Sequence, residues 1–502
     1  MKRVVLYNPD PKIGEGKIDI SLALLSVAAL PDKNGYDVKI VNHSEKDHMQ
    51  KLMEHCKDAL CIGITMMTGN QIKGALEAAK MAKEMNIKVV VGGWHPSIMP
   101  EQTLKNEHID IAIRGQGQRA FYEVLEALSK NKPLKDIAGI SYKVKGEIIH
   151  NPERTVEDLN NFPPLPYHLL EKERVTRNVV EIATRTVDYF TTQGCPHRCG
   201  FCADPIVYKR RWSALKPERV IEDLKKIVKE YNANGIVLTD TNFFVNEQRV
   251  KEICKMMIKE GIKVKVGSVN GRTETLLRYD DETWKLLKQS GFDSFLIGAE
   301  SGLQEDLDTI KKDATVEDTI ELTKRCKKYG FKIYFSFFIG LPPEPEKLPE
   351  YPRKVKREMK ALVELIDKIL KIEKEHVYYL LIYTPYPGSP LYEVSKKIGF
   401  KEPEKLEGWI DFEHDTSNTP WIPQQYTKFI DQLNILYMPL LTENVYKKLP
   451  SYGAVGTISK PAVRILHKII QYRWNKRKFS IPIEYYMLKN VKKAVRVFHK
   501  GR

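Results

Sequence analysis

Residues 191–205 read TTQGCPHRCGFCADP, with three residues between Cys195 and Cys199 and two between Cys199 and Cys202. Three thiolates on one short loop can cap three irons of a cubane, and no fourth ligand lies near in sequence, so one iron keeps an open coordination position. A zinc ion completed by His197 or by a distant histidine is an alternative use of the same donors, since three cysteines and a histidine make an acceptable tetrahedral set. Position favours the cubane. The loop directly follows a strand, VDYFTT (187–192), at the start of a β/α series, which is where an open barrel presents its chemistry.

Downstream the series continues through the apolar segments GIVLTD (235–240), KVKVGSV (263–269), SFLIGAE (294–300), KIYFSFFIG (332–340) and HVYYLLIYT (376–384). Amphipathic helices are expected after Lys216 and from Gln248, Asp281 and Val316. Six parallel strands are too few to close an eight-stranded barrel, so a partial (β/α)6 barrel over 186–400 is predicted. A charged helix after the run PPEPEKLPEYP (342–352) reads as an ordinary surface helix with Leu362, Leu365, Ile366 and Ile369 as its apolar positions.

Upstream, residues 1–135 alternate VVLYNP, DVKIVN, LCIGITM, KVVVGG and IDIAIRG with helices, one of them predicted over 71–85. This rhythm predicts a Rossmann-like parallel sheet covered on both faces, with ligands at the carboxyl ends of its strands. No Walker or GxGxxG pattern is present. Residues 136–185, with the Pro-rich NNFPPLPYH and a small hairpin around SYKVKGEIIHN, read as a linker. Residues 401–502 form a mainly helical, basic C-terminal region, and the whole chain is of the α/β class.

Seven cysteines with one tight cluster argue against a secreted disulfide framework, and Cys56, Cys61, Cys254 and Cys326 are expected to pack as small apolar residues. The start of the chain reads as a strand, and no apolar run reaches membrane-spanning length, so a cytoplasmic location is expected. Of the net charge of +16, residues 447–502 supply fifteen Lys or Arg against the single acid Glu484. Within that region Val463, Leu466, Ile469, Ile470 and Trp474 recur near helical spacing among cations. Such a pattern fits contact with an anionic membrane, an anionic substrate or nucleic acid, or a C-terminal helix packed on the fold with a solvated charged face.

CPHRCGFC resembles the CxxxCxxC signature of radical S-adenosylmethionine (SAM) enzymes, including the aromatic Phe201 before the last cysteine. The resemblance implies a [4Fe-4S] cluster on Cys195, Cys199 and Cys202. It further implies that SAM chelates the open iron and is cleaved to a 5′-deoxyadenosyl radical, with an electron from a reductant such as a flavodoxin or ferredoxin. By the same resemblance Glu300 and Ser301 are candidates for polar contacts to SAM, and Gly340 for a close approach beside the adenine. Where the family often carries Gly-Gly-Glu after the second strand, this chain has TDTNFF; Asp240, with help from Asn242, would then accept from the SAM ammonium. Arg272 is a further candidate, for the SAM carboxylate.

CIGITMMTGN, VVVGGWHPSIMPE and IAIRGQGQRAF resemble, in the same order, the N-terminal cobalamin-binding domain of one large radical SAM subclass. The resemblance makes Thr65, Met66, Thr68, Gly92, Gly93, His95, Gly115 and Gly117 the candidate corrin contacts. The Asp-x-His-x-x-Gly motif that supplies a lower cobalt ligand elsewhere is absent. The implied activity is cobalamin-dependent functionalisation of an unactivated carbon, most often methylation, on a small-molecule or lipid-like substrate. Ring formation or carbon–carbon coupling without cobalamin is the alternative, and a non-catalytic iron–sulfur or zinc docking protein is the alternative of another class. Nucleic acid is disfavoured, because no RNA-binding module is recognisable.

Overall fold

The computed structural model describes residues 2–10, 21–179, 181–412, 419–442, 453–480 and 483–486, with side chains left aside in 453–460. Strands are numbered in chain order. The chain forms two compact units, 1–267 with 384–418, and 268–383 with 419–502.

The first unit opens with a seven-stranded sheet in the order β2-β1-β3-β4-β5-β6-β7. Strands β1 (Arg3–Asn8), β2 (Asp37–Asn42), β3 (Ala59–Thr65), β4 (Lys88–Gly92) and β5 (Ile111–Ile113) are all parallel. Val4, Val5, Leu6 and Tyr7 of β1 and Val89, Val90 and Val91 of β4 are all buried, as strands covered on both faces must be. The chain leaves β1 for β2 on one side and then crosses to β3 on the other. The winding therefore reverses between β1 and β3, and a crevice opens at their carboxyl ends.

The hairpin β6 (Ile140–Val144) and β7 (Glu147–His150) is not free connection, as expected for a linker over 136–185, but extends this sheet antiparallel to β5. It pairs an edge that the three-residue β5 would otherwise leave open.

A second sheet of the same unit runs β13-β12-β9-β8. In it β9 (Ala183–Tyr189), β12 (Gly235–Leu238) and β13 (Lys265–Gly267) are parallel, and β8 (Arg177–Val179) caps the edge antiparallel. After β9 a short antiparallel ribbon, β10 (Thr192–Gly194) with β11 (Trp212–Ala214), brackets the cysteine loop.

The second unit contains a four-stranded parallel sheet, β14 (Val269–Gly271), β15 (Ser294–Glu300), β16 (Lys332–Ile339) and β17 (Val377–Ile382), whose strands neighbour in chain order. The segment expected as one strand over 263–269 is broken at Ser268, whose φ is +56°. The division into compact units falls at 267/268, where the chain turns out of its sheet at Ser268. Helix Val316–Tyr329 shows a capping box between Thr315 and Asp318 and ends at Gly330 in the left-handed conformation. Helix Tyr351–Ile372 buries Leu362, Leu365, Ile366 and Ile369 on one face, as its spacing predicts.

Candidate active site

The cysteine loop leaves β10 through Gly194, whose φ is +78°. A Cβ there would stand 2.2 Å from the Arg211 carbonyl oxygen, so only glycine lets the loop depart this close to β11. Cys199 is buried, Cys195 and Cys202 are half-buried, and the Cys202 amide donates to the Cys199 carbonyl at 3.2 Å in a tight turn. Phe201 lies half-buried inside that turn. Burial pushes the Cys202 thiol up to about 12 and raises Cys195 as well, so metal coordination must draw off their protons. Among the described residues no group of three His, Cys, Asp or Glu side chains converges as ligands of a single metal ion. Three thiols on one loop suit a cubane, whose corners lie apart. Asn242 Nδ2 reaches toward Cys195 Sγ at 3.9 Å, while its Oδ1 is buried with no hydrogen-bond partner among the described residues.

Asp240 is wholly buried and turned to the scaffold: its Oδ1 accepts from the Thr191 amide at 3.1 Å and the Thr191 hydroxyl at 2.8 Å. Burial raises its carboxyl above the usual range, against these hydrogen bonds and the Arg249 charge, which favour the ionised form. Arg249 in turn donates to the Leu215 carbonyl at 2.8 Å and the Thr191 carbonyl at 3.3 Å. Asp240 and Arg249 therefore clamp both sides of the ribbon that carries the cysteines. Asp204, two residues past Cys202, is also buried, and burial pushes its carboxyl up to about 7.

The first unit also encloses a cavity of about 310 Å³ at the switch point. Its walls come from the carboxyl ends of β1, β3, β4 and β5, and among the described residues no charged side chain and no histidine lines it. Thr65, Gly92, Gly93, Gly115 and Gly117 line it as expected; Met66, Thr68 and His95 do not. Met66 is core, its amide bonded to the Gly92 carbonyl at 2.8 Å. His95 is wholly buried, with Nδ1 at 3.0 Å from the Thr68 hydroxyl and its ring edge-on to Trp409 at 5.7 Å. Burial lowers its pKa to about 4. It sits in the core, away from the cavity lining.

Sequence reasoning missed Ser97, whose hydroxyl donates to the Gly93 carbonyl at 2.6 Å and accepts from the Gly115 amide at 2.9 Å, tying the two glycine turns together. Gly93 has φ +108°, and a Cβ on it would meet the Met66 carbonyl oxygen at 2.8 Å. Gln193 was missed as well: two residues before Cys195, it lines the cavity and accepts from the side-chain amides of Gln116 and Gln118, both at 3.1 Å. Val207 and Tyr208, beyond Cys202, line the cavity too, so both flanks of the cysteine loop form part of its wall. A neutral, amide- and hydroxyl-bearing cradle with glycines at its turns fits a large flat ligand rich in amides.

The second unit holds the remaining expected residues. Glu300 has φ +62° and is buried; its Oε1 accepts from Lys312 Nζ at 2.6 Å, and its Oε2 is buried with no hydrogen-bond partner among the described residues. Gly298 lies under this carboxylate, where a Cβ would come within 2.0 Å of Oε1. The buried Arg272 guanidinium donates to Glu274 and to the Lys312 carbonyl. Ser301 donates to Asp306 Oδ2 at 2.7 Å, Lys354 bridges Asp306 and Glu358 at 2.7 and 2.6 Å, and Glu358 accepts from the Gly340 amide at 3.1 Å. Burial holds the Glu358 carboxyl above its usual range. Lys354 and Glu358 sit on the helix read as an ordinary surface helix, so that helix supports the Ser301 and Gly340 turns.

Comparison with known proteins agrees with this geometry. The Radical SAM superfamily model matches residues 189–351 and the B12 binding domain model residues 19–125. An uncharacterized methyltransferase of Pyrococcus horikoshii is 30% identical over 366 residues, covering 71% of this chain and 74% of that one. The cobalamin-dependent SAM radical enzyme OxsB, solved with aqua-cobalamin and SAM bound, superposes with a TM-score of 0.68 at 18% identity, over 99% of this chain and 75% of that one. The radical SAM methyltransferase TsrM from Kitasatospora setae, solved with cobalamin and a [4Fe-4S] cluster, gives 0.62 at 16% identity, over 79% and 75%. The protein belongs to the radical SAM superfamily, among the members with an N-terminal B12-binding domain. Its cofactors are accordingly a [4Fe-4S] cluster, SAM and cobalamin.

Proposed function

We propose that this chain transfers a methyl group to an unactivated carbon of a small hydrophobic or anionic substrate. The supporting observation is the shared wall: Gln193 before the cysteines and Val207 and Tyr208 after them line the same cavity as Gly92, Gly93 and Gly115. Radical generation and methyl delivery then need no long transit between sites.

When bound, the cluster supplies the electron that cleaves SAM, and the corrin carries the methyl group. The chain's own residues position and exclude. Cys195, Cys199 and Cys202 would hold the cluster, with Asn242 beside Cys195. Thr65, the glycine turns and the neutral amides of Gln118 and Gln193 would hold the corrin. Glu300 Oε2, a buried acceptor with no hydrogen-bond partner among the described residues, is an atom suited to receive a hydrogen bond from SAM. Asp240 braces the cysteine ribbon through Thr191, while Arg272, through Lys312, and Ser301 support the Glu300 turn from behind. The reading places the enzyme in the cytoplasm, served by a flavodoxin- or ferredoxin-type electron donor.

The test is anaerobic reconstitution with iron, sulfide and cobalamin, followed by SAM and dithionite. Expected products are 5′-deoxyadenosine and, from the methyl-donating turnover, S-adenosylhomocysteine. Cys195→Ala, Cys199→Ala or Cys202→Ala should each abolish 5′-deoxyadenosine. A zinc-containing protein without inorganic sulfide overturns the proposal; 5′-deoxyadenosine without S-adenosylhomocysteine or bound corrin overturns methyl transfer alone.

A further inference from the structure

Over 461–475 the helix Gly453–Asn475 has two apolar faces, and among the described residues one of them is buried. Ile470 and Trp474 are buried, the Trp474 indole donating to Asp367 Oδ1 at 3.2 Å and its ring meeting Phe479 edge-on at 5.8 Å. This is the face expected from the spacing of Val463, Leu466, Ile469, Ile470 and Trp474, except that Ile469 turns outward. On the opposite side Ile465, Ile469 and Tyr472 recur at intervals of four and three, which aligns them along one stripe. They are 63%, 40% and 55% exposed. Lys476 continues the stripe, and Arg464 and Lys468 flank it, all exposed. Just beyond, Ile483 and Tyr486 are 63% and 60% exposed.

A contiguous exposed apolar stripe needs an occupant. Charge decides which: residues 447–502 carry fifteen Lys or Arg and one acid, so the occupant is anionic. A second copy seated on the same face would bring like charges together. A nucleic acid would satisfy the lysines but leave the isoleucines against a polar backbone. A bilayer surface with anionic lipid satisfies both, accepting isoleucine and tyrosine at the acyl boundary and lysine at the phosphates. No helix among the described residues is long and apolar enough to cross a membrane, so the helix would lie on the surface.

We propose that this stripe docks the enzyme flat on an anionic bilayer surface, with Ile465, Ile469 and Tyr472 inserted and Lys468 and Lys476 at the headgroups. The inference stands apart from the methyl-transfer reading, since it concerns no residue of the cofactor sites.

Flotation of the full-length protein with phosphatidylcholine vesicles, with and without phosphatidylglycerol, tests it. Wild type is expected to float only with the anionic vesicles, less at high salt. Lys468→Gln with Lys476→Gln should weaken binding about 30-fold, and Ile465→Ser with Ile469→Ser at least about ten-fold. All four positions are exposed, and an unchanged melting temperature and iron content of the variants verify that the fold is intact. Absence of wild-type binding overturns the proposal, as does unchanged binding by the isoleucine variant. So does a wild-type dimer that the isoleucine variant dissociates, or tight binding to a single-stranded oligonucleotide that it abolishes.

Discussion

Replacing Asp240 by leucine should destabilise the first unit and cost it its cluster, whereas Asp240→Asn should leave both nearly intact. Asp240 is fully buried, and its Oδ1 takes hydrogen bonds from the amide and hydroxyl of Thr191, itself fully buried. Leucine has the same branching with bulkier methyls in place of the oxygens, and leaves two buried donors without an acceptor, at about 1–3 kcal/mol each, or about 2–6 kcal/mol together. It also removes the negative charge facing Arg249. Asparagine keeps an oxygen for both donors, so the expected loss is on the order of 1 kcal/mol. Calorimetric melting of the apoprotein reads the stability, iron and sulfide content after anaerobic reconstitution reads the loop, and equilibrium dialysis reads SAM affinity. Asp240→Asn is expected to bind SAM like wild type. Wild-type stability in Asp240→Asn with a ten-fold or greater loss of SAM affinity would refute the reasoning, because the carboxylate would then be facing the SAM ammonium.

Other substitutions probe the remaining supports. Gly194→Ala should abolish iron binding, since its Cβ would strike the Arg211 carbonyl at 2.2 Å. Gly146→Ala, at φ +89° with nothing within 4 Å, should cost only about 1–2 kcal/mol and keep the iron. Equal iron content in the two variants would sink the argument. Lys312→Met strands the buried Glu300 and should cost about 3–5 kcal/mol, most of it recovered when Glu300→Gln is added; a wild-type melting curve for Lys312→Met alone would show that the pair does not matter. His95, lowered from 6.5 to about 4 by burial, favours its neutral form in the folded chain. Its contribution is complete above the unfolded value near 6.5 and is lost as pH falls toward 4, by about 3 kcal/mol in all. His95→Gln should flatten the decline of the melting temperature across that window, and an unaltered pH profile would show that His95 does not drive it.

Some of the site could be read from residues alone because the chemistry is local. Cys195, Cys199 and Cys202 lie within eight residues, so their spacing carries the ligand geometry directly. The glycine turns after β4 and β5 were legible for the same reason. Met66, Thr68 and His95 were not: they follow a strand end just as Thr65 does, and only packing shows Met66 in the core and His95 against Trp409, more than three hundred residues away in the chain. Asp240 was assigned to SAM by its place after a strand, and its bond to Thr191, 49 residues earlier, was not legible in the sequence.

The sequence by itself determined the β/α alternation, the triad of thiols and the basic C-terminal region, because hydrophobic period, short-range spacing and charge are properties of neighbouring residues. Only the tertiary structure decided that the hairpin at 140–150 finishes the first sheet and that the strand expected over 263–269 breaks at Ser268. It also decided that Lys354 and Glu358 brace the Ser301 and Gly340 turns, and that one helix leaves Ile465, Ile469 and Tyr472 facing outward. Each of these depends on which buried group finds which partner, and that is settled when distant segments compete for the same interior space and the same hydrogen bonds.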